Sequence, residues 1–253
     1  MRARFRTRGG TVKTKEQNVS GLLLRRCALG LALSLSSSAF AEPARVIILR
    51  HAEKLNKHEL CEIGSRRAEA MAGQFLGKGA AQSLFASGET PAAILAVTIH
   101  SLETVSPTAQ SWELPAVVYS VLPSDDRDLK DVELNRRTRE AVQDALTDPR
   151  YAGKTIVMSW EHKHIADAKL EAKFPDEQVT LRQLLHLDEF ADAPKDWPDG
   201  NYDYFWIVDF TPGKPAPTGF RMVRESFKAP YDNLPANDWD APEPRHIDGG
   251  CKK

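Results

Sequence analysis

The chain has 253 residues, of which 42% are hydrophobic and 27% are charged. This is the composition of a globular protein, and it excludes a disordered or fibrous chain. The formal net charge of −1 conceals an asymmetry, because residues 1–41 hold eight of the 34 basic side chains and one of the 35 acidic ones. Residues 42–253 therefore carry 26 basic and 34 acidic side chains, a net charge of −8. A segment with this negative net charge repels the phosphate backbone of a nucleic acid, which argues against general nucleic-acid binding.

Residues 1–41 have the three parts of a secretory signal peptide. A basic stretch ends at Arg25-Arg26, a short apolar run follows, and small residues lead to the Ala-Phe-Ala sequence that ends at Ala41. The apolar run is short for a bilayer span, so we favour cleavage after Ala41 over a permanent membrane anchor. We therefore expect an exported, periplasmic protein that has no membrane contact after cleavage. Its one domain would be residues 42–253, including an irregular C-terminal tail.

Short apolar runs alternate with amphipathic segments along this domain. The apolar runs predict strands at Val46–Leu49, Ala92–Val97, Ala116–Val121, Thr155–Ser159, Tyr204–Phe210 and Gly219–Val223. Apolar residues at helical spacing predict helices over 62–76 and, approximately, 131–146 and 165–174. Strands that alternate with helices form βαβ units. The predicted fold class is therefore α/β, a three-layer α/β/α sandwich with a mainly parallel central sheet.

Two cysteines, Cys61 and Cys251, follow the predicted cleavage site. In an oxidising compartment they can form one disulfide bond. The sequence gives no distance between them, and two free thiols are an equally open interpretation.

The ends of the first and fourth predicted strands carry side chains suited to phosphoryl chemistry. Arg50-His51 follows the first strand and His162 follows the fourth. In open α/β sheets, ligands bind beyond the carboxyl ends of the strands. A guanidinium group can donate two parallel hydrogen bonds to two oxygens of one phosphate. A neutral imidazole can attack phosphorus as a nucleophile. A second histidine can stabilise the charge that develops on the oxygens, so the sequence predicts a phosphoryl-transfer site here.

These residues resemble the motifs of the histidine phosphatase superfamily, which has the phosphoglycerate-mutase-like fold. The Arg-His-Ala-Glu-Lys sequence that ends Val46–Lys54 resembles the Arg-His signature of that family. Leu60–Ala68 is similar to the entry of its first helix, and Val157–His162 is similar to the segment with its second catalytic histidine. Tyr202–Phe210 resembles the late core strand of bacterial members.

The resemblance implies a phosphomonoester hydrolase that forms a phosphohistidine on His51. It implies that Arg50 and His162 hold the phosphoryl group and that neither a metal nor another cofactor takes part. It also implies an acidic residue that protonates the leaving oxygen. By position the candidates are Asp125 and Asp126, of which we choose Asp126. Glu53 is a further possibility, and we also expect it to bind substrate.

One position departs from the family pattern. Members carry an Arg-x-x-x-Thr-Ala sequence after the second strand, whose arginine is another phosphate ligand, but here Thr104 precedes Thr108-Ala109. Losing a charge-assisted phosphate contact costs about 1.5–3 kcal/mol of binding. We expect His100 to replace the arginine in part, and we include His100 and Thr104 among the substrate-binding residues. Other basic side chains that could supply the charge are Arg66, Arg136 and Arg137.

Two other functions remain open from the sequence. The missing arginine is compatible with an impaired family member that binds a phosphorylated ligand without efficient turnover. His162, His164 and Asp167 could instead ligate zinc in a metal-dependent hydrolase. Neither the identity of the phosphomonoester nor the oligomeric state can be derived from the sequence.

Overall fold

The computed structural model describes residues 42–214, 216–241 and 251. The predicted signal peptide and residues 242–250 of the predicted tail lie outside the described residues. Among the residues that are described, no helix combines the length and the apolar character needed to cross a membrane.

A six-stranded sheet forms the centre of the protein. Its strands are β1 (Arg45–Arg50), β2 (Pro91–Ala96), β3 (Ala116–Val118), β4 (Thr155–Trp160), β5 (Tyr204–Asp209) and β6 (Gly219–Arg224). They lie in the order β3-β2-β4-β1-β5-β6. The first four pair in parallel, and β5 and β6 add an antiparallel edge. The predicted α/β fold is confirmed, although β3 is shorter than predicted.

Helices cover both faces of this sheet. They are α1 (Glu62–Met71), α2 (Ile99–Trp112), α3 (Arg127–Thr147), α4 (His162–Ile165), α5 (Ala168–Lys173) and α6 (Leu181–Leu184). Because side chains alternate along a strand, Ile47 and Leu49 of β1 pack in the same cluster as α1 and α2, whereas Val46 and Ile48 pack in the cluster of α3, α4 and α6. This arrangement is the predicted three-layer sandwich.

The helices differ from the prediction in several places, and the short helix α6 has no predicted counterpart. The segment predicted as one helix over 62–76 is α1 followed by a wider turn, Ala72–Leu76. The segment predicted over 165–174 contains α5 and the end of α4, because the Asp167 side chain accepts a hydrogen bond from the Leu170 N–H and starts a new helix there. The helix α2 was not predicted at all.

A disulfide bond joins Cys61, the residue before α1, to Cys251 near the C-terminus. Their Cα atoms lie 5.2 Å apart. Of the two possibilities that the sequence leaves open, the structure therefore has the bonded pair.

Candidate active site

The two predicted catalytic segments meet at the ends of adjacent strands. Strands β1 and β4 pair in parallel with Arg50 beside Trp160, and the His51 N–H donates a hydrogen bond to the Trp160 carbonyl over 3.0 Å. Residues that follow these two positions consequently leave the sheet at the same edge. The rings of His51 and His162 have centroids 6.5 Å apart. The strand-end interpretation of the sequence is confirmed for this pair.

His51 is held as a neutral imidazole with one free lone pair. Its Nδ1 lies 2.7 Å from the Ala52 carbonyl oxygen, which can only accept, so Nδ1 carries the proton. Its Nε2 is buried, and the one polar side-chain atom placed against it among the described residues is Oε2 of Glu161, at 3.4 Å. Burial, followed by the charge of Lys54, lowers the pKa of His51 to about 3. The unprotonated Nε2 is therefore available as a nucleophile at neutral pH.

Arg50 and His162 form a hydrogen-bonded pair beside His51. One guanidinium nitrogen, Nη2, donates to Nδ1 of His162 over 3.3 Å, and Nε2 of His162 donates to the Asp199 carboxylate over 2.7 Å. The other terminal nitrogen, Nη1, donates to the backbone carbonyls of residues 198, 199 and 201. Tyr202 stacks under the guanidinium, with its ring centroid 3.9 Å away. This packing fixes the orientation of Arg50.

Glu161 is a residue of the site that the sequence analysis missed. Its Oε2 lies 3.4 Å from Nε2 of His51, and its Oε1 lies 3.3 Å from Nζ of Lys54 and 3.5 Å from Nζ of Lys130. Burial by itself raises the pKa of this carboxyl, but His51, Lys54 and Lys130 together bring that pKa well below its usual range. Glu161 is therefore a carboxylate at neutral pH. Its position directly before His162 at a strand end was the signal that could have identified it.

Lys54 and Lys130 bring two positive charges to this edge of the sheet. Lys54 belongs to the Arg-His-Ala-Glu-Lys sequence after β1, and Lys130 lies in the first turn of α3. The arginines that the sequence offered as replacements have other partners: Arg66 bonds Asn233, and Arg136 and Arg137 bond Glu133. The positive charges next to Glu161 thus come from two lysines, and the expectation for the three arginines is corrected.

Thr104 positions the loop after β1 and does not face the cavity. It is 1% exposed, and its hydroxyl accepts a hydrogen bond from the Ala52 N–H over 2.8 Å and donates one to the His100 carbonyl over 2.7 Å. The prediction that Thr104 binds substrate is therefore replaced by a role in holding the residue next to His51.

His100 lies within the site, as the sequence predicts. Its ring centroid is 5.8 Å from that of His51, and its Nε2 donates to the Asn56 carbonyl over 2.9 Å. Burial, with a contribution from Lys54, lowers its pKa to about 4. His100 is consequently uncharged at neutral pH and does not replace the positive charge of an arginine.

Glu53 lies in a buried cluster of charges behind the site. Both of its oxygens accept hydrogen bonds from Arg67, which also contacts Asp203 at 2.6 Å and Glu225 at 3.7 Å. Gly64 allows this close packing, because a Cβ there would lie 2.2 Å from the Glu53 carbonyl oxygen. Glu53 therefore anchors α1 to the loop after β1, which corrects the prediction that it binds substrate or donates a proton.

Asp126 also has a structural partner. Its carboxylate accepts a hydrogen bond from the Leu129 N–H over 3.0 Å and caps the N-terminus of α3. It is exposed and does not line the cavity described below, and its neighbour Asp125 pairs with Lys57. The structure thus moves the carboxyl group of the site from Asp126 to Glu161.

A cavity of about 230 Å³ opens at this edge of the sheet. Glu161, His100, Lys54 and Lys130 are among its lining residues, together with three apolar ones, Ile99, Val121 and Pro123. Arg50, His51 and His162 lie beside it and are not lining residues. The histidine pair and Glu161 also have donor atoms within 4.8 Å of one another, a spacing that could hold a metal ion. Arg50 and the two lysines next to these atoms repel a cation, so the electrostatics favour an anion.

The alternative metal triad is not assembled. His164 is buried and lies 3.0 Å from the Asn135 side chain, and Asp167 caps α5. Neither residue belongs to the group of potential metal ligands found among the described residues. The interpretation of His162, His164 and Asp167 as a zinc site is therefore corrected.

No protein-family model and no curated protein matches the sequence. Solved structures that are similar include a mycobacterial glucosyl-3-phosphoglycerate phosphatase, with 15% identity and a TM-score of 0.40 over 74% of this chain and 100% of that one. Proteins described as mycobacterial hydrolase 1 and mycobacterial hydrolase 2 are each 15% identical, with TM-scores of 0.41 and 0.39. They match 73% of this chain and, respectively, 100% and 91% of their own.

Proposed function

We propose that the protein is a phosphomonoester hydrolase that acts through a phosphohistidine on His51. The observation that carries the proposal is the tautomer of His51: Nδ1 donates to the Ala52 carbonyl, so Nε2 keeps its lone pair. Nε2 lies 3.4 Å from the Glu161 carboxylate, which Lys54 and Lys130 also approach, and Arg50 adjoins His51 in the sequence. An unprotonated imidazole nitrogen with cations and a carboxyl group beside it is suited to phosphoryl transfer.

The charge of the site suits a phosphate dianion. Arg50, Lys54 and Lys130 contribute three positive charges, and the Glu161 and Asp199 carboxylates remove two. The remaining positive charge attracts the negative charge that a phosphomonoester carries near neutral pH. Because the rest of the domain is acidic, this positive site is where an anionic substrate is attracted.

The reaction has two steps. In the first, Nε2 of His51 attacks phosphorus, the ester P–O bond breaks, and the leaving oxygen takes up a proton. In the second, water attacks the phosphohistidine, the P–N bond breaks, and phosphate leaves while the water gives up a proton. Arg50 and His162 lie beside His51 and stabilise the charge on the phosphoryl oxygens in both steps.

Glu161 is the group that donates the first proton and accepts the second. In the unliganded protein it is ionised because Lys54 and Lys130 face it. A bound phosphate dianion competes for the same lysines and adds negative charge nearby, so substrate binding raises the pKa of Glu161. The carboxyl is then protonated when the leaving oxygen needs a proton.

The proposal is tested by rapid quench with a 32P-labelled phosphomonoester. We expect label on His51, in an acid-labile and alkali-stable bond, and no label or turnover in His51→Ala. His162→Ala should slow both formation and loss of the label. His186→Asn, a change at an exposed histidine outside the site, is the matched control. Label on another residue, or undiminished turnover in His51→Ala, would contradict the mechanism.

A second candidate is a binding protein for a phosphorylated ligand. This candidate is favoured by the hydrogen bonds of Arg50, because its Nη1 already donates to three backbone carbonyls. Fewer of the guanidinium N–H groups are then available to bind a phosphate. Tight binding of vanadate without turnover of any phosphomonoester would support this candidate. We also propose that the protein is exported, on the basis of residues 1–41.

A further inference from the structure

The loop before β5 holds two groups of the site at once. Nη1 of Arg50 donates hydrogen bonds to the backbone carbonyls of residues 198, 199 and 201, over 3.2, 2.7 and 2.9 Å. In the same loop, the Asp199 carboxylate accepts a hydrogen bond from Nε2 of His162 over 2.7 Å. The loop therefore orients Arg50 through its main chain and His162 through a single side chain.

These hydrogen bonds fix the tautomer of His162. Its Nε2 lies against a carboxylate that is ionised, because the hydrogen bond with His162 lowers the pKa of Asp199 to about 2. A carboxylate can only accept, so Nε2 carries the proton. Nδ1 lies 3.3 Å from Nη2 of Arg50, which can only donate, so Nδ1 keeps its lone pair. In the unliganded protein His162 is thus a neutral ring whose Nδ1 points to the guanidinium.

This tautomer has no hydrogen-bond donor for a phosphoryl oxygen. The oxygens of a phosphate dianion accept hydrogen bonds, and an unprotonated Nδ1 can only accept as well. The single N–H of His162, on Nε2, is already donated to Asp199. His162 can therefore bind a phosphoryl oxygen through Nδ1 only after this nitrogen has taken up a proton.

The charges around His162 show which group supports the protonated ring. Burial and the charge of Arg50 lower the pKa of His162 to about 4, whereas Asp199 and Glu161 raise it. A bound dianion beside Arg50 offsets the charge of the guanidinium, and Asp199 contacts the opposite nitrogen of the ring. The ionisable groups that act on His162, or whose rings lie near it, are Arg50, His51, Glu161, His164 and Asp199.

We propose that Asp199 is a positioning residue that lets His162 bind the phosphoryl group as an imidazolium. Nδ1 takes one proton from solvent as the anion binds, and it returns this proton when phosphate leaves. Nη2 of Arg50 no longer donates to Nδ1 in that state and can donate to the anion instead. The inference rests on the proposed function and adds to its site a residue that does not touch the substrate.

A count of charges alone predicts the opposite effect of Asp199, which makes the proposal testable. An acid beside an anion site weakens anion binding by repulsion, so its removal should strengthen binding. If Asp199 instead supports the imidazolium, its removal leaves His162 neutral and weakens binding.

The first test measures the binding of sulfate by calorimetry at pH 7. Sulfate is a tetrahedral dianion that is not hydrolysed and does not titrate near this pH. Asp199→Asn keeps an oxygen that accepts from Nε2 and removes the charge, so it should bind sulfate about tenfold to hundredfold more weakly than the wild type. In buffers of different ionisation enthalpy, it should also take up about one proton fewer per sulfate. Asp199→Glu should restore part of both quantities.

Asp192→Asn is the matched control, because it makes the same change of charge at an exposed residue of the segment that leads to β5. It should keep the wild-type affinity and proton count. Sulfate binding in Asp199→Asn that equals or exceeds that of the wild type overturns the inference. An equal proton count, or a wild type that binds no sulfate, overturns it as well.

The second test observes His162 directly, by long-range 1H–15N spectra of protein labelled with 15N-histidine. His162→Gln identifies the signals of this ring. Without sulfate, the wild type and Asp199→Asn should both have the proton on Nε2. With sulfate, both ring nitrogens should be protonated in the wild type and only Nε2 in Asp199→Asn. An unprotonated Nδ1 in the sulfate-bound wild type overturns the inference.

These measurements separate the inference from the proposed function, because neither requires turnover. Protonation of His162 by sulfate, in a protein that hydrolyses no phosphomonoester, contradicts the phosphatase and keeps the role of Asp199. A phosphohistidine on His51 together with a His162 that stays neutral does the reverse.

Discussion

The exchange of Glu161 for glutamine separates binding from chemistry at this site. In the unliganded protein the Glu161 carboxylate is an internal anion, 3.3 Å from the Lys54 ammonium and 3.5 Å from that of Lys130. A phosphate must compete with it for both lysines. Glu161→Gln keeps the size of the side chain and removes its charge. We therefore expect phosphate and vanadate to bind more tightly to the variant than to the wild type.

The size of this effect follows from the contacts that are released. A hydrogen bond to a charged group contributes about 1.5–3 kcal/mol, which corresponds to a roughly tenfold to hundredfold change in affinity. Turnover should change in the opposite direction. An amide cannot give a proton to the leaving oxygen, so kcat should fall by about 10²- to 10⁴-fold.

Calorimetry with inorganic phosphate at pH 7 measures the first effect, and steady-state kinetics on a phosphomonoester measures the second. Glu69→Gln is the matched control, because it makes the same change of charge on the exposed face of α1. It should alter neither quantity. Unchanged or weaker phosphate binding in Glu161→Gln would refute the competition, and undiminished turnover would refute the role as proton donor.

Three further predictions concern stability and processing. Arg67→Met leaves three buried acids without their cation, so it should lower the free energy of unfolding by about 3–5 kcal/mol in denaturant titrations. Burial lowers the pKa of His164 from 6.5 to about 4, so its unfolded form binds more protons between these values, and the wild type should lose stability as the pH falls through this range. By pH 4.5 the share of His164 in this loss should be about 2–3 kcal/mol, and His164→Gln should lack that share while it keeps the shares of His51, His100 and His162; equal pH profiles would contradict the reasoning. Intact-mass analysis should give Glu42 as the mature N-terminus, and a mass that includes residues 1–41 would show that no cleavage occurs.

The sheet could be predicted from the sequence because its strands are short apolar runs that the helices bury on both faces. The helix α2 could not be predicted, because the side chains that it buries include His100, Ser101, Thr104 and Thr108, which break the apolar periodicity. Its N-terminus does carry a local signal, since the Thr98 side chain accepts a hydrogen bond from the Ser101 N–H.

The candidate site was predictable where it depends on strand ends and unpredictable where it depends on tertiary packing. Arg50, His51 and His162 follow adjacent parallel strands, and the strand-end rule identifies such positions. Lys130 reaches the site from a helix whose sequence resembles any solvated helix. Asp199 does so from an irregular loop. Glu161 is intermediate. Its position next to His162 at the end of β4 places it near the site, but no motif in the sequence marks it as a site residue.

The pairing of β1 with β4 has a consequence for how such a site can change. The spacing of the reacting groups is set by main-chain hydrogen bonds, above all the one from the His51 N–H to the Trp160 carbonyl. A substitution of a side chain leaves these main-chain hydrogen bonds intact. The paired ends of β1 and β4 are therefore a fixed frame, and different side chains can be placed on it. The cations around the frame come instead from separate elements, the loop after β1 and the start of α3. A positive charge can therefore move from one of these elements to another without displacing His51, which makes the cations interchangeable parts around a fixed frame.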